Sequence, residues 1–205
     1  MPLVYQQNIN AASKIGVWHI SEVEDFFLKE VPLQKEITHP HKRLQHLAGR
    51  YLLKELYPHF PLELIKIADT RKPFLEDELF HFSISHCGDY ASALVSTTNR
   101  VGVDVEKVTG KIGRIIPKFL SLEESLLLHP SNIEKTGCLF WSTKESIYKW
   151  QGVGGTDFIK HICIKNFHGD DISGIVECVF KNETPLRVHY LFFNNHYLTW
   201  LLTDH

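Results

Sequence analysis

The 205-residue sequence lacks the short motifs that mark the most common nucleotide, zinc and serine-hydrolase sites. It contains no Walker A loop, no GxGxxG loop, no HExxH helix and no GxSxG elbow. Its four cysteines have no CxxC spacing, which argues against a zinc site, and we expect free thiols in a reducing compartment. Any phosphate site in this chain must therefore be built from other residues than the usual cradles.

The sequence also lacks long hydrophobic runs and a strong excess of either charge. No apolar run approaches the ~20 residues that span a bilayer. The formal net charge is −2, so no global basic field predicts binding to nucleic acid or to an acidic membrane. The first residues do not have the basic-then-apolar layout of a signal peptide. We therefore expect a cytoplasmic protein in which any site for a polyanion is local.

Two longer helices are predicted by apolar residues at helical spacing, one over residues 41–57 and one over residues 135–150. In the first, Leu47, Leu52 and Leu56 belong to the expected buried stripe. Two capping boxes predict the starts of shorter helices, because a serine is followed three residues later by a glutamate. These boxes are Ser21 with Glu24, and Ser121 with Glu124.

Strand-like segments surround these helices. Period-2 alternation predicts strands over residues 79–85, 91–97 and 100–106, and the tail alternates like several antiparallel strands. Helices and strands occur in mixed blocks rather than in strict βαβ order, which predicts an α+β fold. The order helix, strands, helix, strands suggests two similar halves.

Basic residues follow one face of the first long helix. Arg43, His46, Arg50 and Lys54 have the 3,4,4 spacing of neighbours on a helix surface. This pattern indicates either a solvated face or a wall that binds anions.

Residues 102–106, with the sequence GVDVE, place two carboxylates on one face of a predicted strand. Residues two apart on a strand point to the same side, so Asp104 and Glu106 share a face and the valines share the other. Two carboxylates at this range repel each other unless a cation lies between them, and hard oxygen ligands suit magnesium. The alternative is an acidic pair that faces solvent at a strand end.

Further charged residues lie in the second long helix. Trp141, Glu145 and Lys149 are spaced i, i+4, i+8 and share one helix face. They indicate either a third metal-binding carboxylate with a phosphate-binding lysine one turn further on, or an ordinary surface ion pair. The tryptophan on the same face makes a purely solvated surface a less satisfactory explanation.

A third group of polar residues is formed by Ser85-His86, which follows a strand, and by Arg71-Lys72-Pro73 upstream. A hydroxyl, an imidazole and an ammonium together can bind a phosphate. The alternatives are an ordinary turn and a Ser-His dyad for acyl transfer, although neighbours in sequence seldom form such a dyad.

In their order and spacing, the segments RKP, FSISH, GVDVE, FLSLEE and WSTKESIYK resemble the motifs of the 4′-phosphopantetheinyl transferase superfamily. The resemblance is to the longer type, which activates peptide and polyketide synthases and acyl carrier proteins. It covers about residues 42–150, and the tail fits by pattern alone. It implies a monomer of two similar α+β halves, residues 1–103 and 104–205, with the active site between them.

The resemblance implies transfer of 4′-phosphopantetheine from coenzyme A to a serine of an apo acyl or peptidyl carrier protein, with release of 3′,5′-ADP. Magnesium would bind the pyrophosphate of coenzyme A and would be held by Asp104, Glu106 and Glu145. Glu145 would serve as metal ligand, as the base that accepts the proton of the serine directly or through a water, or as both. Lys149 would neutralise phosphate charge. The residues expected to contact coenzyme A are Arg43, Arg50, Lys72, Ser85, His86, Lys144 and Lys149.

The chain departs from the family pattern outside the predicted metal ligands. RKP stands where the family often has GKP, Ser83 replaces a common asparagine, and Cys87 replaces a frequent serine. These departures concern the contacts to the 3′-phosphate and to pantetheine.

Two other functions are compatible with the same residues. One is a magnesium-dependent phosphohydrolase that acts on coenzyme A or a related nucleotide, and the other is a coenzyme A binder without activity. The three carboxylates argue against the binder, because binding alone does not need a base.

Overall fold

The computed structural model describes residues 2–33 and 37–204. The chain divides into two compact units, the first comprising Met1–Gly102 and Leu202–His205 and the second comprising Val103–Leu201. The predicted boundary after residue 103 lies one residue further along the chain, and the last four residues group with the first unit rather than the second.

The first unit contains six complete strands and two α-helices among its described residues. In chain order these are β1 (Leu3–Asn10), β2 (Ser13–His19), α1 (Glu24–Leu28), α2 (Pro40–Leu56), β3 (Lys66–Ile67), β4 (Pro73–Phe74), β5 (His81–Cys87) and β6 (Tyr90–Ser96). Four strands form an antiparallel sheet in the order β1-β2-β6-β5, and β3 pairs with β4. The hairpin β1–β2 was not predicted, because β1 is too polar to show a clear alternation of apolar and polar residues.

Helix α2 packs its apolar face on the four-stranded sheet. Its predicted buried stripe is confirmed for residues that are at most 1% exposed, namely Leu47, Ala48, Leu52 and Leu56. Gly49 lies so close to β5 that a Cβ atom there would come within 2.6 Å of Ile84 Cγ2. This close approach brings the following residue, Arg50, to the side of β5.

The second unit contains an antiparallel sheet with a long helix. Its elements are β7 (Asn99–Lys107), which begins in the first unit, α3 (Ile116–Phe119), α4 (Leu122–Ser125), α5 (Ile133–Gln151), α6 (Phe158–His161), β8 (Ile162–Gly169), β9 (Ser173–Phe180), β10 (Thr184–Phe193) and β11 (His196–Asp204). The strand order is β7-β11-β10-β9-β8. The elements of both units confirm the α+β class, and none of the described helices is long and apolar enough to cross a bilayer.

The two predicted capping boxes have different outcomes. Ser121 Oγ accepts a hydrogen bond from the Glu124 N–H at 3.1 Å, and Glu124 Oε2 accepts one from the Ser121 N–H at 2.8 Å, so this box is confirmed. The box at Ser21 is wrong, because α1 begins after Val23 without a side-chain cap. Glu24 is paired with a residue of α2 instead.

Lys144 lies in the interior of the second unit and is 0% exposed. Its Nζ donates hydrogen bonds to the backbone oxygens of Phe119, Phe158 and Ile162 at 2.8, 2.9 and 2.7 Å, and Glu124 Oε1 lies at 2.7 Å. An ammonium has three protons, and these acceptors occupy all of them. The predicted contact of Lys144 with coenzyme A is therefore not supported, because the side chain is buried and its ammonium is fully hydrogen-bonded within the second unit.

The carboxylate of Glu124 is equally well held. Besides Lys144, it accepts hydrogen bonds from the N–H of Ser121 and, at 2.8 Å, from the N–H of Ile164 in β8. The ion pair thus connects α4, α5 and the edge of the sheet. Burial lowers the pKa of Lys144 despite the favourable effect of Glu124, which shows that desolvation dominates at this position.

We expect Lys144→Met to destabilise the protein by about 3–5 kcal/mol, because it leaves the buried Glu124 charge without its counter-ion. Chemical denaturation of the variant measures this loss. The double variant Lys144→Met/Glu124→Leu should lose less than the two single variants combined, since no buried charge remains. Lys54→Met is the control, because Lys54 Nζ pairs with Glu30 at 2.6 Å on the surface, where water screens the charge. Equal losses at both positions would contradict the structural role of Lys144.

Candidate functional site

Asp104 in β7 is a buried carboxylate at the centre of the acidic cluster, with only 2% of its surface exposed. Lys149 Nζ donates a hydrogen bond to Asp104 Oδ1 at 2.6 Å, and Ser142 Oγ donates one to Asp104 Oδ2 at 2.8 Å. Both donors belong to α5, so the helix supplies a partner for each oxygen of the carboxylate. Burying a carboxylate this deeply is costly unless it has such partners.

Glu106 lies two residues further along β7 and is half-buried. Trp141 Nε1 donates a hydrogen bond to Glu106 Oε1 at 3.1 Å. The indole ring itself packs against Phe119 and Phe158, with ring centroids 5.1 and 5.6 Å away. The tryptophan that the helical pattern placed on this face therefore orients one of the predicted metal ligands.

Glu145 of α5 is the electrostatic neighbour of both other carboxylates. Burial raises its pKa to about 7, and the charges of Asp104 and Glu106 act in the same direction, whereas Lys149 opposes them. At neutral pH this carboxyl is close to the midpoint of its titration. A group with such a pKa can accept and release a proton efficiently under physiological conditions.

This cluster has the donor atoms that magnesium prefers, but its side chains are not arranged around a metal position. Among the described residues, no three His, Cys, Asp or Glu side chains are arranged so that they could hold a metal ion. The oxygen donors nevertheless suit a hard divalent cation. Such a cation would also offset the repulsion by which Asp104 and Glu106 raise the pKa of Glu145. The predicted magnesium site therefore stays a prediction.

A cavity of about 520 Å³ in the first unit brings several cationic or polar side chains together. Among the residues that line it are Gln45, His46, Arg50, Arg71 and His86. Two of these, Arg50 and His86, were predicted to contact coenzyme A. Arg71 was not predicted to contact coenzyme A, and its φ of 67° places its backbone in the left-handed region.

Arg50 is the buried cation of this cavity and is 8% exposed. Its Nη1 donates a hydrogen bond to His46 Nδ1 at 3.1 Å, and its Nε has no hydrogen-bond partner among the described residues. Burial lowers the pKa of Arg50 to about 10, so the guanidinium remains charged at neutral pH. A buried cation with spare donors on a cavity wall is suited to bind an anion.

Ser85 and His86 are not brought together as predicted. Neighbouring residues of β5 point to opposite faces of the sheet. His86 lines the cavity with Ile84, whereas Ser85 is 7% exposed on the other face of the strand. The same alternation rules out a Ser-His dyad from these two residues.

Lys72 lies in a different cavity from Arg50. It lines a cavity of about 330 Å³ together with His81 and Arg100. Burial, together with the charge of Arg100, lowers the pKa of Lys72 to about 8. The structure therefore separates Lys72 from the residues with which it was expected to bind one phosphate.

Arg43 is engaged in an ion pair on the first unit. Its Nη2 and Nε atoms lie 2.7 and 2.8 Å from Glu24 Oε2 in α1. Lys54, on the same face of α2, pairs with Glu30 at 2.6 Å. The basic face of α2 thus divides into ion-paired residues and residues of the 520 Å³ cavity, and the predicted role of Arg43 in binding phosphate is not supported.

The family model that matches this chain is described as the 4′-phosphopantetheinyl transferase superfamily, and it matches residues 100–200. This segment contains all three carboxylates and Lys149. The chain belongs to this superfamily.

Curated relatives agree with the family match. The enterobactin synthase component D of Salmonella typhi is 34% identical over 155 residues, which is 73% of this chain and 60% of the relative. The 4′-phosphopantetheinyl transferase psf-1 of Bacillus pumilus is 32% identical over 112 residues, 51% of this chain and 47% of the relative. The chain therefore spans about half to three-fifths of the length of these relatives.

The raised pKa of Glu145 predicts a specific pH dependence of stability in metal-free buffer. Between the ordinary carboxyl pKa of 4.5 and about 7, the folded state binds more protons at this position than the unfolded state does. Stability should therefore fall as pH rises through this range. Glu145→Gln should remove about 1–2 kcal/mol of this fall, a value that allows for solvent screening. Denaturation midpoints in EDTA between pH 5 and pH 8 measure it, and an identical slope in both proteins would contradict the assignment.

Proposed function

We propose that this protein is a magnesium-dependent 4′-phosphopantetheinyl transferase. It transfers the 4′-phosphopantetheine arm of coenzyme A to a serine of an apo acyl or peptidyl carrier protein and releases 3′,5′-ADP. The observation that carries the proposal is the cluster of Asp104, Glu145 and Lys149 within the family-matched segment, with an ionic contact of 2.6 Å between Lys149 and Asp104.

Glu145 is suited to act as the general base. The acceptor serine has to lose its proton as its oxygen attacks phosphorus, and a base is most effective when its pKa is near the working pH. In the metal-free protein, burial and two neighbouring carboxylates raise the pKa of Glu145 to about 7. A bound cation would offset the contribution of the carboxylates, whereas burial would still act to raise the pKa. A solvent-exposed glutamate would be a much weaker base at the same pH.

Asp104, Glu106 and Glu145 are the residues that would hold magnesium. When bound, this ion supplies positive charge for the pyrophosphate and polarises the electrophilic phosphorus. Lys149 adds a second positive charge on the same helix face, and its side chain is one-quarter exposed. An ammonium with this freedom can contact a substrate phosphate as well as Asp104.

The cavity of the first unit that contains Arg50 provides a site for the phosphate on the adenosine of coenzyme A. Arg50, Arg71 and His86 line it and carry or can carry positive charge. The spare donor of the buried Arg50 favours a permanent anion over a neutral ligand. The broader prediction that the active site lies between two halves stays a prediction, as do the monomeric state and the cytoplasmic location.

The names of the relatives favour a particular kind of acceptor. One is a component of enterobactin synthase and one is a 4′-phosphopantetheinyl transferase. We therefore propose a carrier protein of a multienzyme synthase, such as one that makes a peptide-derived small molecule, as the first acceptor to test.

Incubation of the protein with coenzyme A, magnesium and an apo carrier protein should increase the carrier mass by one phosphopantetheine arm. Glu145→Gln should slow this transfer about 10²- to 10⁴-fold, because it removes the base. Glu134→Gln, an exposed residue on the same helix, should have no effect. Mass spectrometry of the carrier measures both results.

Carriers that all remain unmodified would contradict the transferase. Release of 3′,5′-ADP without any carrier would instead identify a phosphohydrolase, and binding of coenzyme A without either product would identify a binder.

Two arginines of α2 allow a matched test of the phosphate site. Arg50→Met should raise the KM for coenzyme A about 10- to 100-fold, because a charge-assisted hydrogen bond is lost. Arg43→Met should change the KM little, because Arg43 is paired with Glu24. Steady-state kinetics and thermal melting of both variants separate lost binding from lost folding. A larger effect at Arg43 would contradict the assignment of the cavity.

A further inference from the structure

A buried chain of hydroxyl groups leads from β11 to the carboxylate of Asp104. Thr199 Oγ1 lies 2.9 Å from Ser142 Oγ, and Ser142 Oγ lies 2.8 Å from Asp104 Oδ2. Thr199 and Ser142 are both 0% exposed. Thr199 Oγ1 also donates to the backbone oxygen of Ser142 at 2.9 Å, which fixes the threonine against α5.

The direction of this chain follows from the number of protons available. An ionised carboxylate only accepts hydrogen bonds, so Ser142 must use its single hydroxyl proton to donate to Asp104. Ser142 Oγ can then only accept from Thr199, and the single proton of Thr199, which it donates to the backbone oxygen of Ser142, reaches Ser142 Oγ as the second branch of a bifurcated hydrogen bond. Each donor polarises the next, which strengthens the bond at the carboxylate.

The two oxygens of Asp104 have partners that differ in exposure. Oδ2 accepts from a buried hydroxyl that a second hydroxyl holds in place. Oδ1 accepts from the ammonium of Lys149, which lies at the end of a long side chain that is 25% exposed. The buried hydroxyl side therefore sets the plane of the carboxylate, and the ammonium on the Oδ1 side is the partner that solvent partly reaches.

We infer that Ser142 and Thr199 are positioning residues, which hold Asp104 in the orientation in which it binds the divalent cation. This inference rests on the proposed function, because it assigns the two hydroxyls a role toward the metal. Ser142 lies within the recognised helix segment, but Thr199 lies 57 residues further along the chain in no motif. Residues that hydrogen-bond to a metal ligand strongly affect metal affinity without contacting the metal, because they orient the ligand.

The chain offers a matched control for the same chemical change. Thr143 is the neighbour of Ser142 on α5, is also 0% exposed, and its Oγ1 has no hydrogen-bond partner in the part of the chain that the structure describes. Replacing either threonine by valine removes one buried hydroxyl and keeps the shape of the side chain. Only the change at Thr199 breaks the chain to Asp104.

The experiment measures Mn²⁺ binding by electron paramagnetic resonance with coenzyme A present and no carrier protein. We expect Ser142→Ala to weaken binding about 10- to 100-fold and Thr199→Val about 10-fold. Thr143→Val should bind like wild type, and so should Thr199→Ser, because it keeps the hydroxyl. Thermal melting of each variant shows whether it is folded, and the Mg²⁺ dependence of transfer should shift in the same order.

Each outcome bears on the inference. Equal binding by Thr199→Val and Thr143→Val, whether both are normal or both are weak, would overturn it while wild-type binding leaves the proposed function intact. Absence of Mn²⁺ binding by wild type would overturn both. If Thr199→Val does not fold, Ser142→Ala decides, and unchanged binding by that variant rejects the positioning role.

Discussion

The burial of one charge, that of Asp104, is the constraint on which the second unit depends. A carboxylate that is 2% exposed has to be compensated inside the protein. Helix α5 provides this compensation with Ser142 and Lys149. The two residues lie seven positions apart, two turns of a helix, so they can meet one carboxylate only if α5 runs across β7 at a defined height and rotation. The same placement sets the position of Glu145 between them.

Helix α5 also contributes to a second ionic contact, the buried pair of Lys144 with Glu124, and Lys144 directly precedes Glu145. Lys144 points into the core toward Glu124, whereas Glu145 is influenced by Asp104 and Glu106. Successive residues on a helix differ in direction by about 100°, so neighbours can serve separate surroundings. The buried pair fixes the rotation of the helix from the core side, and this rotation aims Glu145 at the carboxylates. Structural stability and the chemistry of the site are thus coupled through one element.

The periodic features of the site could be predicted from the sequence, and the long-range ones could not. Strand spacing placed Asp104 and Glu106 together, and helical spacing placed Glu145 beside Lys149, because both repeats are local properties of the chain. The role of Lys144 depends on Glu124 and on three carbonyl groups that no local pattern connects to it. Thr199 was missed for the same reason. Ser85 and His86 were grouped as sequence neighbours, although strand alternation itself argues that they face opposite sides.

The buried charge of Arg50 is the feature that makes the cavity of the first unit suitable for an anionic ligand. Arg50 is 8% exposed, and among the described residues no carboxylate forms an ion pair with it. Lys144 has a similar degree of burial but is saturated by four acceptors. The structure thus provides acceptors for every proton of the Lys144 ammonium, but it leaves Nε of Arg50 without a hydrogen-bond partner among the described residues. Unpaired buried donors of this kind are expected where a protein binds something, because the ligand supplies the missing acceptors. An anion is the ligand that the charge and the spare donors of Arg50 would suit.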